Sequence, residues 1–365
     1  MLGSDKAVRR WVTAPQPAQP PEGGTAPPLV HPREELEGNV KFWTELWSGP
    51  PLDPENLTQF LRHLPPQVEL PQSSCFVTGE ELQKRAKESA GTSAGMDAWL
   101  PADLARLPLK WFEKVAALWN AIMADGLDLP TPWVHLRIAL IDKEDGGQRP
   151  IGVAAAIWRI CGAATVSHWR EWIATWIHPN LAGGAAGRRL DDVLDALMGA
   201  MEKAVQTGEP MVGGSIDLSK CFDRVRIDQV LLVLRHLGAP QGALQCVEKF
   251  YANRQNHFTK GKLVSEEPAT AATGLVQGCP FSVVSLNALM SVWAWTLSAE
   301  VPDLQFGCFL DDRTMWATGE DRIPMLSMAE QVALDFDTAI GAQWNEKKNF
   351  TFATFRQDDR ALKQR

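Results

Sequence analysis

Phe306-Gly307-Cys308-Phe309-Leu310-Asp311-Asp312-Arg313 sets two adjacent carboxylates between two apolar runs, Leu304 to Phe309 and Thr314 to Ala317. The runs read as strands and the carboxylates as the turn that joins them. Aspartate is a common turn residue because it bonds its own backbone, so the pair alone says little. Its apolar flanks make this a turn that emerges from a packed sheet. A second carboxylate keeps similar company: Met211 to Leu218 is a short apolar strand running into Ser215-Ile216-Asp217-Leu218-Ser219-Lys220-Cys221-Phe222-Asp223. If Asp217 and Asp311 end neighbouring strands, their like charges raise one pKa unless cations are bound. Hard oxygen ligands of this kind suit Mg²⁺ or Mn²⁺, with positions left for phosphate. Two such ions can activate a hydroxyl and stabilise a leaving group in an in-line displacement.

Outward from these two sites the pattern is mostly helical. Helices are expected at Pro101 to Ala124, Ile151 to Ile177 (with a stripe of Trp169, Trp172 and Trp176 that reads as core), Leu190 to Val205, Asp228 to Leu237, Ser282 to Ser298 and Pro324 to Ile340. Trp133 to Ile141 has the alternating, β-branched look of a strand and is followed by a glycine-containing turn from Lys143 to Gln148, and another strand is expected near Phe350. Helices and strands alternate without a regular βαβ rhythm, which favours an α+β fold over a doubly wound sheet. Thirteen of the 25 prolines fall before residue 72. Residues 1–75 are therefore expected to be a Pro-rich, largely disordered segment, with at most a short helical piece around Phe42, Trp43 and Trp47. The remaining expectations are a helical region over 76–205 with a hairpin near 134–153, a region carrying the acidic sites over 206–352, and a tail over 353–365.

Composition narrows the function classes. The 365 residues are 45% hydrophobic and 22% charged, as in ordinary globular proteins. The formal charge of −8 opposes general phosphate binding, although a local groove can still be basic. Lys249 to Ser265 holds no acid, and Lys249, Arg254, Lys260 and Lys262 interleave there with Phe250, Tyr251, His257 and Phe258. Taken alone, that stretch reads as a solvated hairpin between core elements. The six cysteines are scattered without a Cys-x-x-Cys pair, and no His-Glu-x-x-His is present, so a zinc hydrolase has no support. No run of about 18 apolar residues and no signal peptide is seen, so no membrane partner is expected. The expected setting is intracellular, with nucleus and cytoplasm not distinguished.

In their order and composition these motifs resemble the reverse transcriptase domain of non-LTR (LINE-like) retrotransposons. Asp217-Leu-Ser-Lys-Cys-Phe222-Asp223 is similar to the family's first palm motif; the resemblance implies a metal ligand at Asp217 and a residue at Phe222 that packs on the sugar and selects deoxynucleotides. Gly274-Leu-Val-Gln277-Gly278-Cys-Pro-Phe-Ser282 resembles the second motif, in which Gln277 and the backbone of Gly278 lie against the incoming nucleotide and template base. Phe309-Leu-Asp311-Asp312 resembles the aromatic-x-Asp-Asp signature, with Asp311 the direct metal ligand and Asp312 an auxiliary one. Leu140 to Val153 looks like the fingers hairpin, whose Lys143 and Arg149 would contact the triphosphate. Gly341 to Lys348 looks like the motif whose lysine, here Lys348, protonates the leaving pyrophosphate or holds the closed state. Ala94 to Asp97 and Asn180 to Asp192 resemble scaffold segments of the same family.

The resemblance covers roughly residues 90 to 352. It implies a right-hand polymerase with fingers and palm, an antiparallel palm sheet with packed helices, and a thumb that is absent or truncated, since the chain ends at Arg365. The implied function is RNA-directed DNA polymerase, a nucleotidyltransferase using two Mg²⁺ or Mn²⁺ ions. An RNA template, a DNA primer and dNTPs are the implied partners, together with other domains of a larger retroelement polyprotein. Two other readings use the same carboxylates: a viral-type RNA-dependent RNA polymerase, which normally carries Gly-Asp-Asp and a small or acidic residue where Phe222 stands, and a catalytically weak or inactive retroelement remnant.

Overall fold

A computed structural model of the chain describes residues 31–143 and 148–362. The N-terminal stretch 1–30, most of the turn expected at Lys143 to Gln148, and the last residues of the tail lie outside them. The fold is mixed α and β, with helices packed on two sheets.

Helices α1 (Pro32–Trp47) and α2 (Glu55–Leu61) come first. Then follow α3 (Gly79–Glu88), α4 (Leu109–Asp125), β1 (His135–Asp142), β2 (Gln148–Val153), α5 (Ala156–His168), α6 (Arg170–Trp176), β3 (Leu181–Ala182) and α7 (Leu190–Thr207). The C-terminal half holds β4 (Met211–Ile216), α8 (Ile227–His236), α9 (Gln241–Asn253), β5 (Gln255–Lys260), β6 (Leu263–Val264), α10 (Pro280–Glu300), β7 (Gln305–Phe309), β8 (Asp312–Thr318), α11 (Arg322–Ile340), β9 (Phe350–Ala353) and α12 (Arg356–Leu362).

Five strands form the larger sheet in the order β3-β7-β8-β4-β9, antiparallel except for the short β3–β7 pair. Its central strand β4 is buried along nearly its whole length, which explains a continuous apolar run rather than an alternating one. Helix α11 packs against β4 and β8, and α7 against β7. The smaller sheet, β2-β1-β5-β6, joins the β1–β2 hairpin to β5 by a parallel pairing. Helix α10 runs through the core against α5, α8 and α11. By length and composition alone it could cross a membrane, yet most of its residues from Phe281 to Leu297 are buried. A helix that is apolar all round is what a core position enclosed on every side requires.

The structure corrects several expectations. Within residues 1–75, expected to be largely disordered, the described residues hold two packed helices: α1 buries Leu36, Trp43 and Trp47, and α2 buries Leu57, Phe60 and Leu61. The prolines misled because Pro32 sits in the first turn of α1 and Pro54 at the N-cap of α2, positions where a missing N–H costs nothing. The helix expected at 101–124 is divided near Pro108, with α4 ending on Gly126 in the left-handed region. Residues 151–153 belong to strand β2, and the helix after them breaks at Trp169 into α5 and α6. Helix α9 is not among the expected helices, and the stretch read as a hairpin, Lys249 to Ser265, begins inside it.

Candidate active site

Strand register brings the acidic sites together. Ile216 at the end of β4 pairs with Arg313 on β8, and Phe309 at the end of β7 pairs with Asp312. Asp217, one residue past β4, therefore stands beside the turn that carries Asp311 and Asp312. That turn is tight: Leu310 has φ +58°, in the left-handed region that a branched side chain rarely enters. The strain sits one residue from the carboxylates, where it aims them.

The segment after α11 wraps Asp217. Asn345 Nδ2 donates to Asp217 Oδ2 at 2.6 Å, and the Asn345 N–H donates to the Asp217 carbonyl at 2.9 Å. Asn349 Oδ1 accepts from the Asp217 N–H at 2.8 Å. Lys348, expected near the site, has its Nζ 3.8 Å from Asp217 Oδ2. Beneath the turn, Arg313 is fully buried and forms a two-bond pair with Asp337 on α11, Nη1 to Oδ1 at 3.0 Å and Nη2 to Oδ2 at 2.6 Å. Trp344 Nε1 donates to the same Asp337 Oδ2 at 2.6 Å. Asp337 thus ties the residue after Asp312 to the residue before Asn345.

Phe222 and Gln277 lie on two turns that are bonded to each other. The Leu275 N–H donates to the Phe222 carbonyl at 2.6 Å, and the Gly274 N–H to the Val225 carbonyl at 2.7 Å. The Gln277 carbonyl accepts from the Gly152 N–H of β2 at 3.0 Å. Gly278 has φ +124°, and a Cβ there would stand 2.6 Å from the Gly152 carbonyl. Only glycine lets β2 come this close. Lys143, at the end of β1, is near enough to Asp223 to stabilise its charge, while Arg149 is exposed on β2.

Electrostatics follow from this crowding. Burial, then the charges of Asp312 and Asp217, pushes the Asp311 carboxyl up to about 6. Asp312 is also raised, by burial and then by Asp217, while Lys348 opposes the shift. Asp223, buried next to Phe222, is pushed up to about 6 by desolvation, against the Trp47 hydrogen bond and the charges of Lys220, Lys143 and Arg254. Among the described residues no three acidic, histidine or cysteine side chains already stand close enough to enclose a metal ion. The donor chemistry still fits one: the Asp311 and Asp312 carboxyls, raised by burial and then by neighbouring carboxylate charge, are relieved by a divalent cation as they are by a proton.

Sequence reading missed Asn349, Asp337, Trp47 and Thr273, none of which carries a local signal for its contact. The stretch read as a solvated hairpin, Lys249 to Ser265, is one only in part: β5 and β6 pair, but its first residues end helix α9. Lys249 pairs with Asp128, Lys260 with Glu35, and Arg254 is buried with its guanidinium on the carbonyls of Thr273 and Gly274. Those three already have partners within the chain.

Residues 141–355 match the sequence model of the family described as "Reverse transcriptase (RNA-dependent DNA polymerase)". Among curated proteins, the chain is 24% identical over 223 residues, 58% of its length, to the "Retrovirus-related Pol polyprotein from type-1 retrotransposable element R2" of Popillia japonica, and covers 29% of that protein. Over 143 residues, 38% of the chain, it is 29% identical to the corresponding polyprotein from type-2 retrotransposable element R2DM of Drosophila melanogaster, covering 13% of it. The chain thus spans less than a third of either relative.

Proposed function

We propose that this chain, which belongs to the reverse transcriptase family, adds deoxynucleotides to a DNA primer on an RNA template as a non-LTR retrotransposon enzyme does. The observation that carries the reading is the β4–β8–β7 register, which sets Asp217 beside Asp311 and Asp312 inside the matched segment. Asp217 and Asp311, with Asp312 in support, would hold two Mg²⁺ or Mn²⁺ ions, whose chemistry is to activate the primer 3′-hydroxyl and stabilise the leaving pyrophosphate. The raised carboxyls of Asp311 and Asp312 support a cation-binding role.

In this reading the five-stranded sheet is the palm and the β1–β2 hairpin belongs to the fingers. Phe222 excludes a ribose 2′-hydroxyl. Gln277 and Gly278 present backbone to the nascent base pair, and the close approach at Gly152 fixes that turn. Lys143 and Arg149 balance triphosphate charge, the role that positioned cations fill at developing negative charge. Lys348, beside Asp217, serves the leaving group. The names of the two relatives, both Pol polyproteins of retrotransposable elements, support further domains acting with this one.

Primer extension on an RNA template tests the reading, with dNTPs and rNTPs supplied in separate reactions. Incorporation of dNTPs is expected, and Phe222→Ala should raise rNTP use by about 10- to 100-fold, the worth of a steric exclusion of about 1.4–2.8 kcal/mol. Preference of the unaltered chain for rNTPs would point instead to an RNA-dependent RNA polymerase.

A further inference from the structure

Helix α1 lies outside the residues that match the family, yet its last residue touches both turns of the nucleotide site. The Trp47 indole N–H donates to Asp223 Oδ1 at 3.2 Å, one residue from Phe222. The Trp47 carbonyl accepts the N–H groups of Ala272 at 2.9 Å and Thr273 at 3.0 Å, on the approach to Gln277. The Thr273 hydroxyl lies between the two sides, 3.2 Å from the Trp47 carbonyl and 3.0 Å from the Asp223 carbonyl. Gly274, at φ +94°, allows this closeness, because a Cβ there would lie 3.1 Å from the Asp223 carbonyl.

We infer that Trp47 is a positioning residue for nucleotide selection: it clasps the turn carrying Phe222 to the turn carrying Gln277, and so sets the discrimination between deoxy- and ribonucleotides. This deepens the function proposed above and rests on it. A tryptophan that served only the core would need one acceptor for its indole, and any backbone carbonyl would do. Trp47 does pack in the core, between Trp43 at 5.6 Å and Phe258 at 5.7 Å between ring centroids. Packing alone leaves unexplained why its two polar groups reach opposite turns of one site. The rest of α1 is fixed to suit that task. Arg33 pairs with Glu266 and Glu35 with Lys260, tying the start of the helix to the β5–β6 hairpin. Near its end, the Lys220 ammonium stands 4.6 Å from the centroid of Trp43. Sub-ångström placement matters here, since discrimination by Phe222 depends on how close its ring stands to the sugar.

The test uses the full chain and two substitutions that remove a side-chain donor, Trp47→Phe, which keeps an aromatic ring, and Thr273→Val, which keeps shape. Single-nucleotide addition is measured with a dNTP and its matched rNTP, and amide hydrogen exchange is followed at Ala272 and Thr273. Each substitution should lower the ratio of dNTP to rNTP kcat/KM about tenfold, the worth of one hydrogen bond at its upper range, and should speed exchange at both amides. A merely structural Trp47 would lower the melting temperature and leave the ratio within about twofold of the unaltered chain; that result, or unchanged exchange, overturns the inference. If the unaltered chain does not extend primers, the proposed function fails, and exchange alone decides whether the clasp exists. If it does extend them and neither readout moves, the clasp fails by itself.

Discussion

At the carboxylate turn the fastening is ionic: Arg313, next to Asp312, is paired with Asp337, and both side chains are shut off from water. At the turns of Phe222 and Gln277 the fastening is a set of hydrogen bonds to backbone carbonyls, from neutral donors and from the Arg254 guanidinium, with one carboxylate, Asp223, that takes the Trp47 indole N–H. The first arrangement holds charge rigidly against charge and tolerates no missing partner. The second is built of bonds worth about 1 kcal/mol each, so its failures are graded. A cluster of acids needs the stiffer support, because its own repulsion works to open it. Two turns that only need to be held close do not.

Three substitutions press on this contrast, beginning with the largest effect. Asp311→Asn should cut primer extension by a factor on the order of 1000, the loss expected when a ligand for a catalytic metal is neutralised. It should also raise the melting temperature at pH 7, because the ionised Asp311 carboxylate is a cost to the fold. A variant that is both inactive and less stable would break the view that the acids repel one another.

Asp337→Ala should destabilise the chain by about 3–5 kcal/mol by leaving the Arg313 guanidinium buried without its counter-ion. Urea unfolding checks this, and a paired change of Arg313→Met with Asp337→Leu should recover most of the loss. If the single change costs no more than a surface ion pair, the ionic fastening is not what holds the turn.

Asp223→Asn should have the smallest effect, a stabilisation of about 1–3 kcal/mol at pH 7, and it sharpens the second half of the comparison. Asp223 has a folded-state value of about 6, above its unfolded value of about 4. Its contribution is therefore fully present below pH 4 and lost as pH rises through 6. The amide keeps an oxygen for Trp47 and removes this loss. The two proteins should be closest in stability near pH 4 and furthest apart above pH 6, read as unfolding free energies across that range. A constant difference would mean that Asp223 is held ionised.

Much of the carboxylate region was legible before the structure. Apolar runs on both sides of Asp311 and Asp312, and before Asp217, marked strands whose ends had to lie in a packed sheet, and the observed β4, β7 and β8 lie where those runs lie. Pattern reading works there because strand period and turn chemistry are local. The clasp was illegible because Trp47 meets residues 176 and 226 positions away. No spacing rule connects them, and the prolines around α1 spoke for disorder. Arg254 was read as part of a solvated hairpin and is buried instead: a cation among aromatics looks the same in sequence whether it faces water or, as here, buried backbone carbonyls.

The central claim is that Asp217 and the Asp311–Asp312 turn form one cation-dependent polymerising centre. It is tested most directly by single-nucleotide addition to a DNA primer on an RNA template, across a Mg²⁺ titration, for the unaltered chain and Asp217→Asn. The account predicts Mg²⁺-dependent dNTP addition by the unaltered chain and its loss, at every Mg²⁺ concentration, in a variant that remains folded. Equal activity in the two proteins, or none from a folded unaltered chain, would contradict it.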